Sequence, residues 1–254
     1  MNPRAAFVFD LDGTINHGER IPGSLEIFGT VGSSFIARRT MDLLLKISAK
    51  LKLFVNTARS QLHIRDFQRH FKAHEIPVTG WILEHGAVVS GKPEWTRRVL
   101  EGIDLKKVHE RICAVVHQKS LPVDTDCYRN SHRGFLLYSC PGSLGPERFV
   151  SAVEPILGGA FRVISGERKV SIIPGKADKL SAFQSNFGDE YAISFAAGDS
   201  APDIPLLRQA LYPLTLAGAS WEVKNSVMER GGFVSTINGH AGTEEFLEFI
   251  LQLL

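Results

Sequence analysis

Apolar residues along this chain gather into four short runs, Ala5–Phe9, Leu51–Val55, Ile193–Ala197 and Leu214–Leu216. The runs are continuous rather than alternating, as strands covered on both faces of a sheet require. Between them the apolar spacing changes to the helical period. Met41, Leu44, Leu45 and Ser48 follow i, i+3, i+4, i+7, with only Ser48 polar. Ile64, Phe67 and Phe71 repeat the pattern, as do Leu180, Phe183 and Phe187, and Phe246, Leu247, Ile250 and Leu254 form a last stripe. Strands alternating with amphipathic helices predict an α/β fold: a Rossmann-like, doubly wound parallel sheet with helices on both faces.

The middle of the chain breaks this rhythm. Leu105, Val108, Ile112 and Val115 make a helical stripe, and "DCYRNSHRGFLLYSC" (Asp126–Cys140) reads as two strands around a turn at Ser131–Gly134. A second helix follows Pro146, a residue suited to a first helical position, through Phe149, Val150, Val153 and Ile156. "FRVISGERKVSIIP" (Phe161–Pro174) then reads as a hairpin turning at Gly166 and Glu167. Helix, hairpin, helix, hairpin marks an α+β insert over 93–171, leaving 1–92 and 172–254 as the core. Asn16–Ala37 is the longest stretch without clear periodicity. Such stretches in compact domains are usually functional flaps.

Composition narrows the function classes. The 254 residues are 44% hydrophobic, enough for a large core, and the net charge of +2 is far from the concentrated basic excess of a nucleic-acid binder. Three widely spaced cysteines, Cys113, Cys127 and Cys140, fit neither a disulfide framework nor a CxxC metal site. Cys127 and Cys140 read as small core residues rather than reactive thiols. The apolar run ahead of Asp10 is shorter than a secretory h-region, and no run approaches the length of a membrane span. The expectation is a soluble cytoplasmic protein without nucleic-acid or membrane partners.

The chemistry collects where the strands end. Ala5–Phe9 leads into Asp10-Leu11-Asp12, Leu51–Val55 into Asn56-Thr57-Ala58-Arg59, and Ile193–Ala197 into Gly198-Asp199-Ser200, with Asp203 four residues after Asp199. Ligands of open α/β sheets sit beyond these carboxyl ends. At least four carboxylates in one crevice would raise one another's pKa. A hard cation such as Mg²⁺, which takes carboxylates, waters and phosphate oxygens, removes that conflict. One aspartate can then attack phosphorus and the other can move the proton. Gly13 and Thr14 suit a sharp exit whose N–H groups face a phosphate.

These residues carry a resemblance. "FDLDGTI" (Phe9–Ile15), "LFVNTARS" (Leu53–Ser60), "IIPGKADKLSAF" (Ile172–Phe183) and "GDSAPDIPLL" (Gly198–Leu207) resemble, in order, the four motifs of the haloacid dehalogenase (HAD) superfamily. The insert between the second and third motifs resembles the C2B cap class. That class includes Cof-like, sucrose-phosphate, trehalose-phosphate and mannosyl-3-phosphoglycerate phosphatases, as well as phosphomannomutases. The resemblance implies Asp10 as nucleophile and Mg²⁺ ligand. It implies Asp12 as general acid/base with a metal-binding backbone carbonyl, and Thr57 as a hydrogen-bond donor to the transferring phosphoryl. Asp199 becomes a metal ligand, and Asp203 either a ligand or the holder of a metal-bound water. A lysine neutralises the phosphoryl; Lys176 and Lys179 both lie in the third motif, and its spacing favours Lys179. "ILEHGAVV" (Ile82–Val89) resembles a family stretch in which His85 stands for Asn, as a leaving-group contact or a structural histidine. Arg59 either faces substrate or pairs with a core carboxylate.

Substrate selection falls to the cap, where alternate residues of the strands would point at the leaving group. Arg129, His132 and Arg133 beside the first hairpin and Lys169 in the second are candidates, together with Gly13, Thr14, Asn56, Arg59 and His85 from the core. The implied activity is a Mg²⁺-dependent phosphomonoesterase acting on a small phosphorylated metabolite, with a sugar or glycosyl phosphate expected. The alternatives are a phosphomannomutase-like phosphotransferase, and an inactive core kept as a binding module. The second would require loss of a motif residue, and none is missing.

Overall fold

A computed structural model describes residues 3–29, 32–125, 133–141, 145–166 and 168–254. The first half of the core holds β1 (Arg4–Phe9), β2 (Leu25–Gly29), β3 (Gly32–Ile36), α1 (Arg38–Ser48), β4 (Lys52–Asn56) and α2 (Arg65–Ala73). It continues with β5 (Val78–Leu83), β6 (Val88–Val89) and α3 (Pro93–Val99). The insert holds α4 (Leu105–Gln118), β7 (Leu136–Ser139), α5 (Pro146–Leu157), β8 (Phe161–Ser165) and β9 (Lys169–Pro174). The chain closes with α6 (Lys179–Phe187), β10 (Tyr191–Ala197), α7 (Ile204–Gln209), β11 (Tyr212–Thr215), α8 (Trp221–Met228), β12 (Phe233–Val234) and α9 (Gly239–Leu253).

Seven strands form one sheet in the order β12-β11-β10-β1-β4-β5-β6. All are parallel except β6, which runs antiparallel to β5. Alternation along β1 feeds both faces of the sheet. Phe7 and Phe9 join the cluster beneath α1, α2 and α9 with Met41, Phe67 and Phe246. Ala6 and Val8 join the opposite cluster with Phe183, Leu206 and Val223, which also takes Trp95 and Val99 of α3. Because β1 sits between β10 and β4, the strand order reverses beside it. Its carboxyl end opens on the crevice that such a switch point leaves.

A three-stranded antiparallel sheet, β7-β9-β8, carries α4 and α5 on one face. Its own cluster is built from Leu105, Ile112, Tyr138, Cys140, Phe149, Val153, Val170 and Ile172. Cys140 is buried there as a free thiol. The turn residue Glu167 lies outside the described residues, as does the segment with the first arm of the other expected hairpin, including Cys127, Arg129 and His132. Within the described residues β7 pairs with β9, and Asp124 makes a single bridge to Ser139.

The stretch 16–37 departs from the expectation of an irregular flap. β2 and β3 pair antiparallel, and His17 and Phe35 exchange both backbone hydrogen bonds. Ile27, Phe35 and Ile36 are buried in this ribbon, but Gly29, Gly32, Ser33 and Ser34 at its turn end interrupt the apolar pattern and mask the period. Among the described residues no helix is long and apolar enough to cross a membrane.

Candidate active site

The site begins with the way β1 ends. Asp10 extends the ladder by one bond, its N–H donating to the Ala197 carbonyl at 3.0 Å. The chain then wraps over Leu11, whose carbonyl accepts from Thr14, Ile15 and Asn16. Gly13 makes this turn possible at φ 77°, and a Cβ there would sit 2.2 Å from Asp199 Oδ2. Only glycine fits that position. Thr14 Oγ1 donates to Asp199 Oδ1 at 3.3 Å, tying the loop after β1 to the end of β10.

Asp10, Asp199 and Asp203 converge: one carboxylate oxygen from each lies within 4.8 Å of the others. Lys179 is the buried cation among them. Its Nζ donates to Asp10 Oδ1 at 2.8 Å and to Asp203 Oδ1 at 2.5 Å. The local sequence presents it. Asp178 caps α6 by accepting from the N–H groups of Leu180 and Ser181, which places Lys179 in the first turn. Lys176 instead points outward to Glu101, 3.2 Å away. Geometry thus separates the two lysines of the third motif.

Asp203 is held from both sides. Oδ1 takes Lys179, and Oδ2 accepts from the N–H and hydroxyl of Ser200 at 3.1 and 2.8 Å. Ser200 was not singled out from sequence, although serine three residues before an acidic residue at a helix start is a capping signature. Burial pushes the Asp10 carboxyl well above its ordinary range, against the pull of Lys179, and Asp203 and Asp199 push it further. Burial and the Asp203 charge also push Asp199 up to about 6. Burial pulls Lys179 down, but Asp10 and Asp203 outweigh it and raise the ammonium. These carboxylates carry more negative charge than one lysine neutralises, and hard, convergent oxygens are the donor set that Mg²⁺ takes. The residues fit such a cation.

Asp12 faces elsewhere. Arg59 grips both its oxygens at 2.6 Å, and Asn16 Nδ2 donates to Oδ1 at 2.8 Å and to Ser34 of β3 at the same distance. The Arg59 guanidinium also lies 4.8 Å from the centre of the Phe67 ring. Of the two readings of Arg59, the structure brings out the pairing with a carboxylate. Asn16 and Ser34, unmarked in the sequence reading, link the hairpin to Asp12.

The remaining candidates are spread out. Thr57 is buried at the end of β4, its Oγ1 accepting from the Arg59 N–H at 3.2 Å. Asn56 lies behind the site, its Nδ2 donating to the Lys179 carbonyl at 2.9 Å. His85 is buried edge-on against Phe135 of the insert, ring centres 5.2 Å apart. Beside it Glu84, not singled out from sequence, accepts from the backbone N–H groups of Arg133 and Gly134 at 2.8 and 2.7 Å. Burial pushes Glu84 up to about 7, against those two bonds. The Arg133 and Lys169 side chains are exposed on the insert.

A comparison with protein-family models gives no match, and neither does one with curated proteins. Solved structures do match, across nearly the whole chain. A haloacid dehalogenase-like hydrolase from Bacteroides thetaiotaomicron aligns at TM-score 0.69 and 17% identity, over 97% of this chain and 99% of that one. The sucrose-phosphatase of Synechocystis sp. PCC6803, solved with sucrose and phosphate, aligns at TM-score 0.65 and 15% identity over 98% of both chains. A sugar phosphatase of HAD subclass IIB aligns at TM-score 0.64 and 14% identity, over 97% of this chain and 98% of that one. The seven-stranded sheet, its switch point at β1 and these alignments together give the chain the haloacid dehalogenase-like hydrolase fold.

Proposed function

We propose that this protein is a Mg²⁺-dependent phosphomonoesterase that works through an aspartyl-phosphate on Asp10. One observation carries the reading: Asp10, Asp199 and Asp203 converge at the carboxyl ends of β1 and β10, with Lys179 donating to two of them. Asp10 and Asp199 side chains and the Asp12 carbonyl would hold the cation, which would supply positive charge to offset the carboxylates and the phosphoryl oxygens.

An Asp10 oxygen attacks phosphorus in line as the ester P–O bond breaks, and Asp12, once it leaves its pair with Arg59 and takes up a proton, gives that proton to the departing alkoxide. Asp12, now a carboxylate, takes a proton from water. That water attacks phosphorus, the acyl-phosphate bond breaks, inorganic phosphate leaves and Asp10 is restored. Lys179 and Thr57 offset charge on the equatorial oxygens, which in phosphoryl transfer is most of the protein's task. Asp203 positions Lys179, its other oxygen being fixed by Ser200. The insert, which in the fold runs from α4 to β9 while α3 packs with the core, acts as the cap that selects the leaving group.

The substrate class is a small phosphorylated metabolite, and the sugar phosphatases among the structural neighbours support a polyhydroxylated one. The test is phosphate release over a panel of sugar, glycoside and nucleotide phosphates with and without Mg²⁺. Turnover that needs Mg²⁺ and disappears in Asp10→Asn is expected. Turnover retained in Asp10→Asn, or none across the panel, rejects the reading.

A further inference from the structure

The two faces of the insert's sheet have different destinations, and alternation along its strands assigns each residue to one of them. On β9, Val170 and Ile172 pack with α4 and α5, so Lys169, Ser171 and Ile173 point the other way. Ile173 lies in the core cluster with Val8 and Phe183, which shows that this second face looks onto the core. β7 and β8 divide in the same manner. Leu136, Tyr138 and Val163 turn to the helices, while Leu137 and Ile164 pack toward the core. Register arranges the core-facing residues in rungs. Leu137, Ser171 and Ile164 form one, and Ser139 and Lys169 the next, farther from Pro174 where the chain re-enters the core.

Lys169 therefore projects from the outer part of the core-facing surface. Opposite it stands the loop after β4, where His63 Nδ1 lies 3.1 Å from Ser60 Oγ and the His63 carbonyl lies 3.5 Å from Arg59 Nη1. Lys169 is near enough for its charge to act on the His63 ring, together with those of Arg59 and Asp12. The cations of this corner differ in what they already hold. Arg59 is engaged by Asp12 and Lys179 by Asp10 and Asp203. Lys169 has no carboxylate partner among the described residues. An ammonium without a carboxylate partner on the face turned to the core, past a rung that is largely apolar, is complementary to an anion carried at the far end of a bound molecule.

We infer that Lys169 reads a second negative charge on the substrate, so that the protein acts on phosphomonoesters whose alcohol bears a carboxylate or another phosphate. Leu137 and Ile164 occupy the adjacent rung of the same face, and His63 lies near enough to feel the Lys169 charge. This rests on the phosphomonoesterase reading and narrows its substrate class.

The experiment uses matched esters that differ only in an acid group: 6-phosphogluconate against sorbitol 6-phosphate, and 3-phosphoglycerate against glycerol 3-phosphate. In at least one pair the acid is expected to be favoured tenfold or more in kcat/KM. Lys169→Met should erase that preference by raising KM for the acid alone, and Lys169→Arg should keep it. Raising NaCl from 50 to 500 mM should shrink it. Equal or better use of the neutral member in both pairs, or an equal loss for both members in Lys169→Met, overturns the inference. Hydrolysis of p-nitrophenyl phosphate, sensitive to Asp10→Asn, reports on the parent reading separately. Its absence sinks both, whereas its presence without an acid preference sinks this inference alone.

Discussion

The Glu84 carboxylate, buried at the end of β5, accepts the backbone N–H of Gly134 at 2.7 Å and so latches the core to the segment that leads into β7 of the insert. Its pKa is pushed from the ordinary 4.5 up to about 7, burial outweighing the N–H groups of Gly134 and Arg133 and the Arg133 charge. The folded protein holds this proton more tightly than the unfolded chain does. The stabilisation is thus complete below pH 4.5 and is lost as pH rises through about 7. At about 1.4 kcal/mol per unit, the limit is on the order of 3 kcal/mol. Denaturant titrations of Glu84→Gln from pH 4.5 to 8 should show a flatter profile than wild type over that window. Parallel profiles would rule out the latch as the titrating group.

His17 works in the opposite direction. Burial and the neighbouring His240 pull its pKa from 6.5 to about 4, against the charge of Asp12. Its ring nitrogen Nε2 sits 2.8 Å from Thr243 Oγ1, and Thr243 in turn donates to the Thr14 carbonyl of the loop after β1. Because the unfolded chain takes the proton first, stability is full above pH 6.5 and is lost as pH falls through about 4. His17→Gln should flatten the acid limb between pH 6.5 and 4, and chemical denaturation at three pH values suffices to see it.

Lys179 and Lys176 make a controlled comparison. Lys179→Met should lower kcat by about 10²–10³, the cost of removing one preorganised charge from the transition state. Without metal it should also destabilise the fold by about 3–5 kcal/mol, since two buried carboxylates lose their counter-charge. Lys176→Met, which breaks only an exposed pair with Glu101, should leave kcat within twofold. Equal effects of the two substitutions would contradict the assignment.

Magnesium should stabilise the protein as well as activate it. Binding at 100 times Kd contributes about 2.7 kcal/mol, or about 5–10 °C in Tm for a chain of this size. Asp199→Asn should abolish that Mg²⁺-dependent shift in a thermal melt. A shift that persists in the variant would place the cation elsewhere.

Much of this is legible in the sequence, for identifiable reasons. The motif residues sit at strand ends, where a switch from apolar to acidic residues is abrupt, and Asp178 before Lys179 is a helix-start signal. β5 was missed because Gly80 interrupts its apolar run, a position where a Cβ would meet Phe54 and Phe187. β6 and β12 have two residues each, too short for any period to register. Asn16, Glu84 and Ser34 were invisible for another reason. Their partners lie 4, 49 and 18 residues away, and only the Asn16–Asp12 separation is short enough to read as a local turn.

Strand β9 and helix α6 have a mechanical relationship. Lys169 at one end of the strand and Lys179 at the start of the helix share one uninterrupted backbone, with only residues 175–178 between the strand's last residue and the ammonium bearer. Gly175 is pinned to Ala160 at 2.7 Å, and Arg162 grips the Ala177 carbonyl, so this tether has little slack. A shift of the insert against the core would therefore reach the start of α6 and, with it, Lys179. Substitutions that loosen this tether, such as at Arg162, should register in turnover as much as in affinity.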